Sequence, residues 1–170
     1  MQEQERCAAV RRRYEERCGY CAVREVEAGS ELELDHFQPR AAGGSDDLDN
    51  LVYCCLTCNR LKGDFWPARE PLTIARRLLH PRRDALHEHL RETSAGRIEA
   101  LTETGAFHVA RLRLNRPPLV VLRQARQANV RLREELAAAQ ADQAQLQERI
   151  RALEGELEGL LARLARLLEP

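Results

Sequence analysis

The chain has 170 residues and a mass of 19.4 kDa, enough for one ordinary domain or a small domain with an appendage. Its 27 Lys and Arg balance 27 Asp and Glu, which excludes a strongly basic, histone-like binder and an acidic disordered tail protein. Aromatics are only 4% of the chain, and all lie between Tyr14 and Phe107, so the front can make a compact core and the back cannot.

No apolar run approaches a membrane span, and the first residues lack the apolar stretch of a secretory signal. A cytoplasmic, reducing setting is expected, where six cysteines argue for metal binding before disulfides. Basic residues are 26 Arg and one Lys, Lys62, a bias that reads as codon usage rather than as a site. The neutral total hides an asymmetry. Residues 1–50 carry 7 basic against 12 acidic side chains, and residues 51–122 carry 12 against 7. A positive middle segment points to a phosphate-bearing partner.

Residues 1–17 read as a charged helix, ending at the turn Cys18-Gly19-Tyr20-Cys21. Glu31 to Asp35 alternates polar and apolar, which predicts a strand. Gln38 to Asn50 is a loop of Pro, Gly, Ser and Asp. Leu51 to Cys54 is a second strand, and Thr57 to Lys62 starts a helix stopped by Gly63. The result is a hairpin with a long loop, then a helix. Thr73 to Leu79 reads as a helical turn or two. Ala85 to Arg91 and Arg97 to Thr102 read as strands around the turn Ser94-Ala95-Gly96. Thr102 caps a helix through Leu114, and Asn115 before Pro117-Pro118 marks another helix start.

From Leu122 apolar residues recur alternately at four and three. Position a of the heptad is Leu122, Asn129, Leu136, Gln143, Ile150, Leu157 and Leu164. Position d is Ala125, Leu132, Ala139, Leu146, Leu153, Leu160 and Leu167. Such a period winds helices into a left-handed coiled coil. A helix from Pro118 to Leu168 is about 75 Å long at roughly 1.5 Å per residue, more than a domain of residues 1–116 could cover. A partner chain is the expected cover: a homodimer through residues 122–168, or a partner protein on the same helix. Asn129 and Gln143 at a positions cost stability but specify register, and Arg149 and Glu154 suit a parallel pair; antiparallel self-pairing or a bundle is the alternative.

Cysteine spacing carries the strongest chemical signal. Cys18-x-x-Cys21 and Cys55-x-x-Cys58 are two knuckles separated by 33 residues. Four thiolates from two such turns make a closed tetrahedral zinc site, structural because no position stays open for water. Cys54 offers another register but makes no C-x-x-C with Thr57, and Cys7 reads as an ordinary thiol.

Between the knuckles lies a second group of residues. Asp35 and His36 are adjacent at a strand end, so they point to opposite faces. Asp35 is a hard oxygen ligand suited to magnesium or manganese, and His36 can take a proton from water. Asn59 follows a zinc ligand on a helix, and its amide oxygen can reach a hard metal. Asn50 braces the loop. Arg40, Arg60 and Lys62 are candidate cations for backbone phosphate, against the plain alternative of solvated side chains beside a zinc site. Zinc would hold hairpin and helix so that Asp35, His36 and Asn59 converge.

Cys18 to Asp64 resembles the HNH endonucleases of the ββα-metal type. The resemblance rests on both knuckles, Asp35-His36, Pro39-Arg40, Gly43-Gly44-Ser45-Asp46-Asp47, Asp49-Asn50-Leu51 and Cys58-Asn59-Arg60-Leu61-Lys62-Gly63. The flank from Pro81 through Pro117 is also similar to small stand-alone bacterial HNH proteins. The heptad tail has no counterpart in that motif. The resemblance implies a ββα-metal finger; with a small α/β extension and the long C-terminal coiled-coil helix that the heptads predict, the expected fold is α+β. It implies His36 as general base, Asp35 as a ligand of the catalytic metal and Asn50 as the loop asparagine that orients the histidine. Asn59 stands where the family's last histidine stands, and its harder oxygen favours magnesium or manganese. The implied reaction is metal-dependent hydrolysis of DNA to a 5′-phosphate and a 3′-hydroxyl.

Other residues take the plainer reading. His87 and His89 would share a strand face as surface residues, and His80 and His108 are ordinary. Phe65-Trp66-Pro67 closes over the finger. Arg76-Arg77 and Arg82-Arg83 are a solvated face that could track a duplex. Three functions are then in view: a nuclease dimerised by its tail, a zinc-ribbon adaptor with vestigial nuclease residues, and a nuclease subunit active only with a partner, as in a phage-defence effector.

Overall fold

The computed structural model describes residues 3–67 and 76–168. Helix α1 (Glu3–Arg13) places acidic residues in its first turn and three arginines in its last, which suits the helix dipole. After the turn at Cys18–Cys21 comes the short helix α2 (Glu25–Ala28). Strand β1 (Glu33–His36) pairs antiparallel with β2 (Leu51–Cys54), with Asp35 opposite Val52 and His36 opposite Leu51. A single 3-10 turn at Arg40–Ala42 shapes the loop between them. Helix α3 (Leu56–Lys62) follows directly. Gly63 ends it at φ 53°, on the side of the backbone map that favours glycine, and donates its N–H to the Asn59 carbonyl at 2.8 Å. This is the hairpin-then-helix order that the sequence predicts.

The expected turn at Thr73–Leu79 falls partly outside the described residues, and Arg76–Leu79 is not helical. The expected strand from Ala85 is shorter than its sequence suggests. Leu86–His89 forms a helical turn, α4, and only Leu90–Glu92 is strand β3. The His89 ring sits 2.7 Å from the Thr102 hydroxyl, and the Leu101 N–H donates to the His89 carbonyl at 2.8 Å, so the end of this turn is bonded to the segment that follows β4. Strand β4 (Ile98–Ala100) pairs with β3. Thr102 caps α5 (Glu103–Arg111), its hydroxyl accepting the Gly105 N–H at 3.0 Å. That helix stops before Leu114, because Arg113 takes a positive φ of 46°. Asn115 does not cap the next helix through its side chain. It spends that amide on both backbone groups of Ile98, at 2.7 and 2.8 Å.

The core sits between α1 and β2. Val10 and Tyr14 meet Leu51, Val52 and Tyr53, and the cluster continues through Leu112, Leu114 and Leu119. A polar network seals one edge: Arg11 donates to both oxygens of Glu25, and the Tyr53 hydroxyl donates to the same carboxylate. Arg11 holds that carboxyl below its ordinary range.

Helix α6 (Pro117–Leu168) has 52 residues. The chain divides into two units, Met1–Gln124 and Ala125–Pro170. The first turns of α6 therefore belong to the front unit. Leu119 is in its core, Leu122 packs against that core, and buried Arg123 donates to the carbonyls of Gly96 and Leu114. Leu122, assigned to the heptad by spacing, thus serves the globular core instead. In the second unit the heptad apolar positions stand open in the single chain, Leu132 at 60% and Leu157 at 57% exposure. No described helix is long and apolar enough to cross a membrane.

His108 is buried in the core, and its Nδ1 accepts the Leu79 N–H at 3.1 Å, which requires the neutral ring. Burial pushes its pKa down to about 4. The unfolded chain then binds more protons than the folded one between that value and the ordinary ~6.5. Stability contributed here is full above about pH 6.5 and is lost as pH falls towards about 4, by at most about 3 kcal/mol. Urea unfolding at pH 7 and pH 5 should show this loss, and His108→Asn, which keeps an acceptor, should flatten it.

Candidate active site and metal centre

The Sγ atoms of Cys18, Cys21, Cys55 and Cys58 all lie within 4.8 Å of one another, and all four residues are buried. Cys21 Sγ is 3.7 Å from Cys55 Sγ. A tetrahedron with metal–sulfur bonds of about 2.3 Å has edges of about 3.8 Å, so the four thiols fit a zinc ion. Burial pushes the Cys18 thiol pKa up, so the metal must displace protons to bind. Two chain turns build the set: Ala22 donates its N–H to the Cys18 carbonyl, and Asn59 donates its own to that of Cys55.

Arg116, just before α6, reaches the same sulfurs. Its guanidinium nitrogen is 3.6 Å from Cys58 Sγ and 3.9 Å from those of Cys21 and Cys55. Four thiolates around a dication leave excess negative charge, which an arginine offsets. Nothing in the spacing of the sequence marks Arg116 for this place.

Asp35 and His36 take opposite faces of β1, as alternation requires. Asp35 points inward and is buried. It accepts from the Tyr20 hydroxyl at 2.6 Å and from the Lys62 ammonium at 2.9 Å. Burial raises its pKa, against the opposing pull of Tyr20 and Lys62. Lys62 departs from its expected place on the solvent face. It is 1% exposed and also donates to the carbonyls of His36 and Gly63. A buried ammonium needs such partners, so Lys62 is committed to Asp35 and does not present its charge to solvent.

His36 is half-buried. Its Nε2 lies 2.7 Å from Asp46 Oδ1, and Arg40 donates to the same oxygen at 2.7 and 3.0 Å. Asp35, His36, Arg40, Lys62 and Asp64 line one cavity of about 220 Å³. Asn50 is buried and clamps the loop: its Oδ1 accepts the Gln38 N–H, and its Nδ2 donates to the carbonyls of Gln38 and Ser45. The loop closes so tightly that a Cβ on Gly44 would stand 1.8 Å from the Gln38 carbonyl oxygen. Asn59 does not line the cavity; its amide nitrogen donates to Glu33 at 2.8 Å. Arg60 is exposed on α3.

Residues 18–65 match the model of the HNH endonuclease family. This segment is an HNH domain. No curated protein and no solved structure matches the chain. The HNH segment holds the four clustered cysteines, β1, β2 and α3, whereas α1 and Arg116 lie outside it. Tyr20, Asp46, Asp64 and Arg116 are the contributors that motif reading misses. Asp46 and Asp64 stand inside or beside quoted motifs, but only the folded loop shows what they face.

Asp35 and Asp64 are the carboxylates of the cleft that could hold a hard divalent cation, and the Lys62 ammonium and the Arg40 guanidinium share its lining. A carboxylate has about four acceptor positions, and Tyr20 and Lys62 use two of those on Asp35. Asp64 adds a second carboxylate to the same cavity.

Removing Arg116 should loosen the metal. Zinc release to a chromogenic chelator from Arg116→Ala is expected about 10- to 100-fold faster than from the unaltered chain, with Arg116→Lys between them. Equal release rates would show that the guanidinium does not support the site.

Proposed function

We propose that the chain is a metal-dependent endonuclease that hydrolyses phosphodiester bonds of DNA. The observation that carries this reading is the HNH domain, with His36, its candidate base, at a cleft that also holds Asp35. His36 takes a proton from water, and the water oxygen attacks phosphorus in line. The bond from phosphorus to the 3′ oxygen breaks, its electron pair stays on that oxygen, and solvent supplies the proton. The products are a 5′-phosphate and a 3′-hydroxyl. Magnesium or manganese held by Asp35, with Asp64 on the same cleft, would supply charge stabilisation for the phosphate when bound; Asn59, bonded to Glu33 and off the cleft, is not placed to join it as its motif position led us to expect. Asn50 keeps the loop closed behind His36. Arg40 and Arg60 are the exposed cations best placed for backbone phosphate. Zinc in the four-cysteine site is structural.

The helix beyond Ala125 supports pairing of two chains. Its leucines at both seam positions are exposed in one chain and would be covered in a parallel coiled coil. A homodimer would bring two HNH domains to one duplex. A partner protein on the same seam is the second reading, favoured by the same exposed leucines, and would make the chain a subunit or adaptor. A cytoplasmic setting agrees with thiols that bind metal.

One preparation tests both parts. Zinc-loaded chain is incubated with supercoiled plasmid and magnesium, manganese or EDTA, beside His36→Ala, and sized by light scattering. Metal-dependent relaxation or linearisation that His36→Ala loses by about 100-fold or more, from a particle of two chains, is the expected result. Intact plasmid with the folded chain in both metals would overturn the stand-alone nuclease. A monomer would overturn the homodimer and favour the partner.

A further inference from the structure

The loop between β1 and β2 contributes a second group to His36. Asp46 Oδ1 is 2.7 Å from His36 Nε2. The carboxylate is held from two other directions. Arg40 donates to Oδ1 through Nε and a terminal nitrogen, and Arg6 of α1 pairs with Oδ2 at 2.9 Å. Arg6 lies outside the HNH segment, so α1 serves the site as well as the core. Asp46 thus stays charged; its bond to His36 first, then Arg40 and Arg6, hold its carboxyl well below the usual carboxylate range.

Arg40 Nε is also 3.3 Å from His36 Nε2. One of these nitrogens must give way as donor. A carboxylate is the stronger acceptor, so the Arg40 N–H goes to Asp46 at 3.0 Å, and the Nε2–H of His36 goes there too. A neutral imidazole carries one N–H; with it on Nε2, the lone pair is on Nδ1. The same division operates in the serine hydrolase triad, where an aspartate fixes the histidine tautomer and steadies the charged ring.

We infer that Asp46 is a positioning residue for His36: it holds the ring in the Nε2–H form with Nδ1 as the proton-accepting nitrogen, and Arg6 and Arg40 hold Asp46 for that task. The role in catalysis rests on the nuclease reading above; the tautomer does not. The geometry also sorts the two carboxylates near His36. Asp35, on the opposite face and tied to Lys62, is the inner one, and Asp46 is the one that meets the ring.

The test is long-range 1H–15N NMR of the full zinc-loaded chain with labelled histidine, His36 being assigned from the signal missing in His36→Ala. The unaltered chain should show the neutral ring of His36 as the Nε2–H tautomer. Asp46→Ala should give a mixture or the Nδ1–H form, and Arg6→Ala a smaller change in the same direction, with zinc content unchanged in both. Single-turnover DNA cleavage by Asp46→Ala should fall about 10- to 100-fold without weaker DNA binding. An Nδ1–H form in the unaltered chain, a tautomer untouched by Asp46→Ala, or faster cleavage by that variant would each overturn the inference. An Nε2–H form lost in Asp46→Ala, in a chain that cuts no DNA, would uphold the positioning and overturn the nuclease reading instead.

Discussion

Four sulfurs within 4.8 Å of one another join two turns that are 33 residues apart in the chain. The HNH domain has two short strands and a seven-residue helix as its centre, too little apolar surface to hold shape alone. A metal on the four cysteines would tie the turn before β1 to the start of α3, and so hold the hairpin against its helix. Arg116 extends that tie to the residue before α6, and α1 covers β2 from the other side. His36 and Asp35 both lie on β1 between the two knuckles, so closure at the cysteines would help to fix their place.

Inside that frame the polar groups divide by face. Alternation along β1 sends Asp35 inward and His36 towards the loop. The inward carboxylate is bonded by Tyr20 and Lys62 and becomes part of the domain's interior. The outward ring meets the loop, whose shape Asn50 and Gly44 enforce. Burial and pairing thus give two carboxylates near one histidine different tasks. The arrangement also makes the N-terminal helix more than packing, since Arg6 grips Asp46, and Arg13 of the same helix pairs with Asp49.

Much of this was legible in the residues themselves. The knuckles, both hairpin strands, α3 with its glycine stop, the Thr102 cap and the long helix all follow from local spacing and cap chemistry, which act over a few residues. The departures arise where distant groups decide. Lys62 looks like a surface cation on a charged helix, but it turns inward because Asp35 lies 27 positions away in sequence and beside it in space. Leu122 continues the heptad in spacing yet packs on the globular core. His87 and His89 alternate like strand residues, but both fall in the helical turn α4, and His89 bonds the distant Thr102 hydroxyl. The tasks of Arg6, Asp46 and Arg116 are not legible in spacing, because the groups they meet come together only in the fold: Arg6 reaches Asp46, Asp46 reaches His36, and Arg116 reaches three sulfurs.

On this view the four-cysteine centre, rather than the hairpin itself, holds His36 in place. Amide hydrogen exchange of the zinc-loaded and metal-stripped chain tests it most directly. Stripping should abolish protection at α3 and along β1 and β2 together, through Leu51 and His36, while α5 keeps much of its own. Unchanged protection across β1 and β2 in the stripped chain would contradict the account, and would mean that the hairpin and α1 position the histidine without the metal.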